Sequence, residues 1–109
     1  MPRLRFTHKF VEHSVTLFTD AERLALIDHV SANPEAGDVV AGTGGVRKLR
    51  WGMAGQGKRG GARALHLFLR HKDTLWLLDV YAKREKSDLS SNDVKRLRAL
   101  VEEIKKMEV

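Results

Sequence analysis

No cysteine occurs in the 109 residues, which excludes disulfides, thiolate metal sites and cysteine nucleophiles together. Aromatic residues are scarce at 6%, so a core has to be built mainly from Leu and Val. No apolar run approaches the roughly 20 residues that span a bilayer as a helix. The opening Met1-Pro2-Arg3-Leu4-Arg5 has no apolar run behind its charges, so it does not read as a secretory signal. These absences lead to the expectation of a cytoplasmic protein with no membrane association. What is present, 42% hydrophobic and 31% charged residues, is the composition of a folded globular chain. Its length suits one domain over residues 1–109 with a modest core.

The net charge is +6, and its placement says more than its total. Residues 1–40 hold four Lys/Arg against six Asp/Glu, and residues 87–109 hold five of each. Residues 41–86 hold eleven against three, so the entire basic excess lies in one central block. A block this lopsided points to a polyanion, with nucleic acid as the first candidate.

Along the chain, a helical front precedes a strand-rich middle and a helical end. Leu4-Arg5-Phe6 suits a short first strand, and His8–Phe18 has apolar residues near helical spacing. Thr19-Asp20-Ala21-Glu22 is a capping box, in which hydroxyl and carboxylate satisfy free N–H groups at a helix start. The helix then presents Leu24, Ile27 and Ser31, flanked by Leu26 and Val30, and stops at Asn33-Pro34. From Val46 the period changes to two, sending Leu49 and Trp51 one way and Lys48 and Arg50 the other. Strands over 62–70 and 74–81, joined by a turn at His71-Lys72-Asp73, form the buried centre of an antiparallel sheet. Ser90-Ser91-Asn92-Asp93 opens a last helix with the stripe Val94, Leu97, Val101 and Ile104. The expected fold is α+β, two N-terminal helices and a C-terminal helix packed on one face of a small antiparallel sheet.

Two familiar motifs fail on context. Gly55-Gln56-Gly57-Lys58-Arg59-Gly60 spells G-x-G-x-x-G, but a strand follows where a dinucleotide site needs a helix N-terminus. Gly52 to Lys58 approaches a phosphate-binding P-loop, but Arg59 stands where a Ser or Thr must hold magnesium. The histidines His8, His13, His29, His66 and His71 show no metal-ligand spacing. His66 becomes a proton carrier only if it faces the basic side. No metal or other cofactor is called for.

The remaining chemistry is cationic. Arg47, Lys48 and Arg50 share a strand, Lys58 and Arg59 lie in the glycine loop, and Arg63 begins the next strand. Lys83, Arg84 and Lys86 follow the last strand. An antiparallel meander brings several of these to one rim, where they would bind phosphates with steep salt dependence. RNA carries its own nucleophile, the 2′-OH. Guanidinium groups would therefore stabilise transition-state charge while lysines move the protons. Charge alone leaves binding and cleavage both open.

Four spaced blocks carry a resemblance: Asn33 to Val40, Gly42 to Trp51, Gly57 to Arg63 and Val80 to Ser90. Together they resemble the RelE/ParE-type toxins of bacterial type II toxin–antitoxin pairs, in particular the HigB-like branch of RelE toxins. The resemblance implies metal-independent, ribosome-dependent cleavage of mRNA in the ribosomal A site, leaving a 2′,3′-cyclic phosphate. It maps the catalytic cations onto Arg63 and Arg84, with Lys83, Lys48 and Arg50 beside them. Arg47, Lys58, Arg59, Lys86 and His66 are then candidates for contacting RNA or ribosome. RelE itself has a base-stacking tyrosine after the last strand; Ser90 stands there instead, and the HigB-like branch also lacks that tyrosine. The implied partners are the ribosome with its mRNA and a cognate antitoxin, usually of helix-turn-helix type, which tethers the toxin to operator DNA. A ParE-like inhibitor of DNA gyrase and a non-catalytic nucleic-acid- or antitoxin-binding module are the rival readings.

Overall fold

The computed structural model describes residues 1–52 and 61–108; the glycine-rich stretch 53–60, and with it the candidates Lys58 and Arg59, lies outside the described residues. Strand β1 (Arg3–Phe6) leads into helices α1 (His8–Leu17) and α2 (Asp20–Ala32). Strands β2 (Asp38–Val39), β3 (Arg47–Trp51), β4 (Ala62–Leu69) and β5 (Thr74–Ala82) follow, then helix α3 (Ser91–Met107).

Local chemistry explains the helix starts. Thr19 and Glu22 close the expected capping box on α2, and Ser90 and Asp93 close one on α3. Thr7 caps α1 by accepting from the Phe10 N–H. The face α2 buries is Leu26, Val30 and Ser31. Leu24, expected inside, is 60% exposed, because the helix is turned so that Leu26 and Val30 meet the sheet.

The sheet runs β1-β5-β4-β3-β2. It is mixed rather than antiparallel: β3, β4 and β5 alternate in direction, but β1 lies parallel to β5. These two strands are remote in sequence, so no hairpin dictates their relative direction. Nor do all the helices share a face. Phe10 and Phe18 from the α1 segment and Leu26 and Val30 from α2 pack on Ala62, Ala64, Leu75 and Leu77. Leu97, Val101 and Ile104 of α3 pack on Leu65, Leu67, Leu69 and Leu78. Both faces of β4 are apolar, so each needs a cover, and α3 supplies the second one.

Leu65 pairs with Asp79 and His66 with Leu77, so Leu78 is an extra residue in β5. Such a bulge bends the strand and re-aims its neighbours. The Thr7 hydroxyl donates to the Leu78 carbonyl at 2.6 Å, anchoring the start of α1 to the bulge.

Gly37 sets the position of β3. Its φ is +87°, and a Cβ there would lie 2.6 Å from the Lys48 carbonyl oxygen. Gly37→Ala therefore combines left-handed strain with a backbone collision, and about 1–3 kcal/mol of stability should be lost. A urea titration against the wild type measures it; an unchanged midpoint would show that β2 and β3 yield freely.

Candidate functional site

The two-residue period of β3 works as the sequence suggests. Leu49 and Trp51 pack towards α1 and α2, which sends Lys48 and Arg50 to the α3 side. Lys48 pairs across to Leu65, and Arg50 to Arg63. Arg63 in turn pairs with Tyr81 of β5, whose ring packs with the α3 cluster. Directly opposed residues share a face, so Arg50, Arg63 and Tyr81 form one row across three strands, with Lys48 beside it. The row lies at the end of the sheet where β3 finishes and β4 begins.

Arg63 is only 6% exposed and donates to the Ala62 carbonyl at 3.1 Å. Lys48 Nζ meets the Asp88 carboxylate at 2.9 Å. That ammonium, followed by the Leu89 N–H, holds Asp88 below the usual carboxylate range, and Arg63 adds to the effect. Burial pushes the Tyr81 phenol up; Asp88 pushes the same way and Arg63 opposes. The Tyr81 hydroxyl is buried with no hydrogen-bond partner among the described residues. Lys86 Nζ sits 5.5 Å from the centre of the Tyr81 ring and 3.0 Å from Asp93. The Ser90 N–H and then Lys86 bring the Asp93 carboxyl down to about 2.

Lys83 and Arg84 lie exposed in the turn after β5. The Lys83 N–H binds the Gly61 carbonyl at 3.0 Å, which fixes this turn beside the start of β4. Three sequence-selected cations thus share one face, Lys48, Arg50 and Arg63, with Lys86 over Tyr81, while Lys83 and Arg84 follow in the turn tied to the start of β4. Two others do not. Arg47 alternates to the opposite face and binds the Gly37 carbonyl at 3.0 Å. His66 is fully buried on that same side, its Nε2 2.9 Å from the Ala36 carbonyl. Desolvation lowers its pKa to about 4. Strand alternation separates these two from the cationic row, so neither stands with it.

Tyr81, Asp88 and Asp93 are site neighbours that the sequence reading left aside. Tyr81 could have been found from the two-residue period, had the β4–β5 register been known. Asp88 and Asp93 carry no such signal, since a loop and a helix cap deliver them. Ser90 is committed as a cap: its hydroxyl accepts from the Asp93 N–H at 3.1 Å.

The row can grip phosphate oxygens from one side and stabilise added negative charge there. No group of three or more His, Asp or Glu that could hold a metal occurs among the described residues. No described helix is long and apolar enough to cross a membrane.

A family model for the RelE toxin of RelE/RelB toxin–antitoxin systems matches residues 16–109. Solved structures with a similar fold come from E. coli. The intact RelBE toxin–antitoxin complex is 17% identical, with 75% of this chain and 96% of that chain covered and a TM-score of 0.57. A doubly arginine-substituted RelE in the free state is also 17% identical, covering 88% and 97%, with a TM-score of 0.61. The isolated RelE toxin is 13% identical, covering 92% and 99%, with a TM-score of 0.58.

Proposed function

The chain belongs to the RelE family of toxins from RelE/RelB toxin–antitoxin systems, and from that premise we propose that it is a ribosome-dependent mRNA endoribonuclease. The observation that carries this reading is the Arg50–Arg63–Tyr81 row with Lys48 beside it. Such a row suits a dianionic transition state better than a single phosphate grip, because a buried guanidinium in low dielectric acts most strongly where charge develops.

In this mechanism the message supplies the nucleophile. Its 2′-oxygen attacks the adjacent phosphorus, the bond to O5′ breaks, and a 2′,3′-cyclic phosphate remains. Arg63 and Arg50 bear the extra charge on the phosphoryl oxygens, while Lys83 and Arg84 at the open end guide the strand. Lys48 joins them once its Asp88 contact yields to RNA phosphate. Neither metal nor cofactor has a step. The ribosome positions the codon, which places the activity in the cytoplasm. Ser90, held as a helix cap, fits the HigB-like branch, which dispenses with the stacking tyrosine.

The E. coli complex holds RelE together with its antitoxin, and the same kind of partner is proposed for this chain. A cognate antitoxin, encoded beside it and of helix-turn-helix type, would neutralise it and carry it to operator DNA. Primer extension on ribosome-bound mRNA after expression tests the function. Cuts phased with codons are expected. Growth arrest with DNA damage signalling and no cuts would replace this reading by gyrase poisoning. No arrest at all would leave a binding module.

A further inference from the structure

The cationic row contains no group suited to take a proton at neutral pH. Lys48 is paired with Asp88 in the free protein and with an RNA phosphate in the proposed reaction, so its ammonium stays charged, and neighbouring donors hold Asp88 and Asp93 down as weak bases. Burial keeps the Tyr81 phenol protonated. An imidazole is the natural remedy, and the chain has five. His66 is sealed against Ala36. His29 lies tilted against Trp51, ring centroids 5.2 Å apart, on the α2 side. His71 lies in the turn before β5, at the far end of the strand from Tyr81. His8 lines the same groove as His13 but is almost wholly exposed, its Nε2 turned to Glu12 at 3.4 Å.

His13 differs from all of these. Its Nδ1 lies 2.6 Å from Asp79 Oδ1. The same oxygen accepts the Val80 N–H at 2.8 Å, so this carboxylate oxygen acts as an acceptor and Nδ1 has to be the donor. That tautomer leaves Nε2 with the free electron pair. Glu12 Oε1 is 3.7 Å from Nε2, too far for a hydrogen bond. The ring is 44% exposed. It lines a groove of ≈ 600 Å³ between α1 and α3 whose wall includes Asp79, Tyr81 and Lys86. Tyr81, in the wall of this groove, is the cross-strand neighbour of Arg63. The Leu78 bulge turns Asp79 towards α1, and the Thr7 hydroxyl bond holds α1 there.

We propose that this groove is the second half of the active site and that His13, held by Asp79, is the base that activates the RNA 2′-hydroxyl. The assignment rests on the endoribonuclease reading and adds its missing proton carrier. The 2′-oxygen gives its proton to Nε2 as it bonds to phosphorus. The P–O5′ bond breaks, and O5′ takes a proton from the Lys86 ammonium in the same groove. His13 and Lys86 return to their starting states by exchange with water. Asp79 touches no substrate; it is a positioning residue that fixes the tautomer and steadies the imidazolium.

Single-turnover cleavage of mRNA on purified ribosomes tests the assignment, with folding followed by circular dichroism. His13→Gln retains an amide that can donate to Asp79, so the fold should hold while cleavage falls about 10²-fold or more. His13→Ala should lose as much, and added imidazole should restore part of it. Asp79→Asn should lose less and gain nothing from imidazole. Wild-type cleavage by His13→Gln, or a loss in His13→Ala that imidazole leaves untouched, would reduce the pair to a tie between α1 and β5. If the wild-type protein itself cuts no ribosome-bound mRNA, the endoribonuclease reading fails first and the assignment falls with it.

Discussion

Arg63→Ala is expected to cut the rate of mRNA cleavage on the ribosome by about 10²–10³-fold, the effect of removing one preorganised donor from a developing oxyanion. The reason is position. Arg63 is the middle of three facing side chains and is nearly buried, so water cannot replace its guanidinium. Arg50 and Arg84 are exposed, and their single substitutions should cost less because solvent screens them. Arg63→Lys tests geometry against charge. An ammonium keeps the charge but not the planar fork, so it should recover only a small part of the rate. Opposed like charges destabilise a sheet, and relief of the Arg50–Arg63 opposition offsets part of the packing that truncation removes. Circular dichroism should therefore show a folded protein. A folded Arg63→Ala variant that produces the wild-type primer-extension pattern at the wild-type rate would put the site elsewhere.

The second large effect is on stability and needs no ribosome. His66 titrates at about 4 in the folded protein, against 6.5 for a free imidazole. The chief cause is burial; Arg47 and His29 push the same way, and the bond to the Ala36 carbonyl opposes. Between those values the unfolded chain binds a proton that the folded chain refuses. Folding stability should thus be complete above pH 6.5 and fall as the pH drops towards 4, by about 3 kcal/mol in all. Urea midpoints at pH 7.5 and pH 4.5 measure the change. His66→Gln, which can still donate to the Ala36 carbonyl, should flatten the difference. The carboxylates Asp88 and Asp93 act in the same direction, but at lower pH, because their folded values lie below 3.8. An equally steep fall in His66→Gln would assign the acid lability to other groups.

Much of this molecule was legible in one dimension. Both capping boxes, the proline stop after α2, the alternation of Leu49 and Trp51 against Lys48 and Arg50, and the apolar β4 and β5 all emerge where the residues indicate. Each depends on neighbours a few positions away, and short-range chemistry decides it. The concentration of cations between residues 41 and 86 is of the same kind.

Pairing between distant segments was not legible. Nothing local says that β1 lies parallel to β5, or that α3 covers the face opposite α1 and α2. Nothing local separates Arg47 and His66 from Lys48, Arg50 and Arg63, either. Only the register of β3 on β4 and β4 on β5 does that, because a side chain's face is fixed relative to its partner strand. The sequence by itself determined the family pattern, the elements and a cationic middle. The tertiary structure decided which cations meet, that Tyr81 stands among them, and that a one-residue bulge aims Asp79 at His13. Those facts belong to pairs of residues distant in sequence, such as Arg50 with Arg63, Arg63 with Tyr81 and His13 with Asp79, and only packing in three dimensions brings such pairs together.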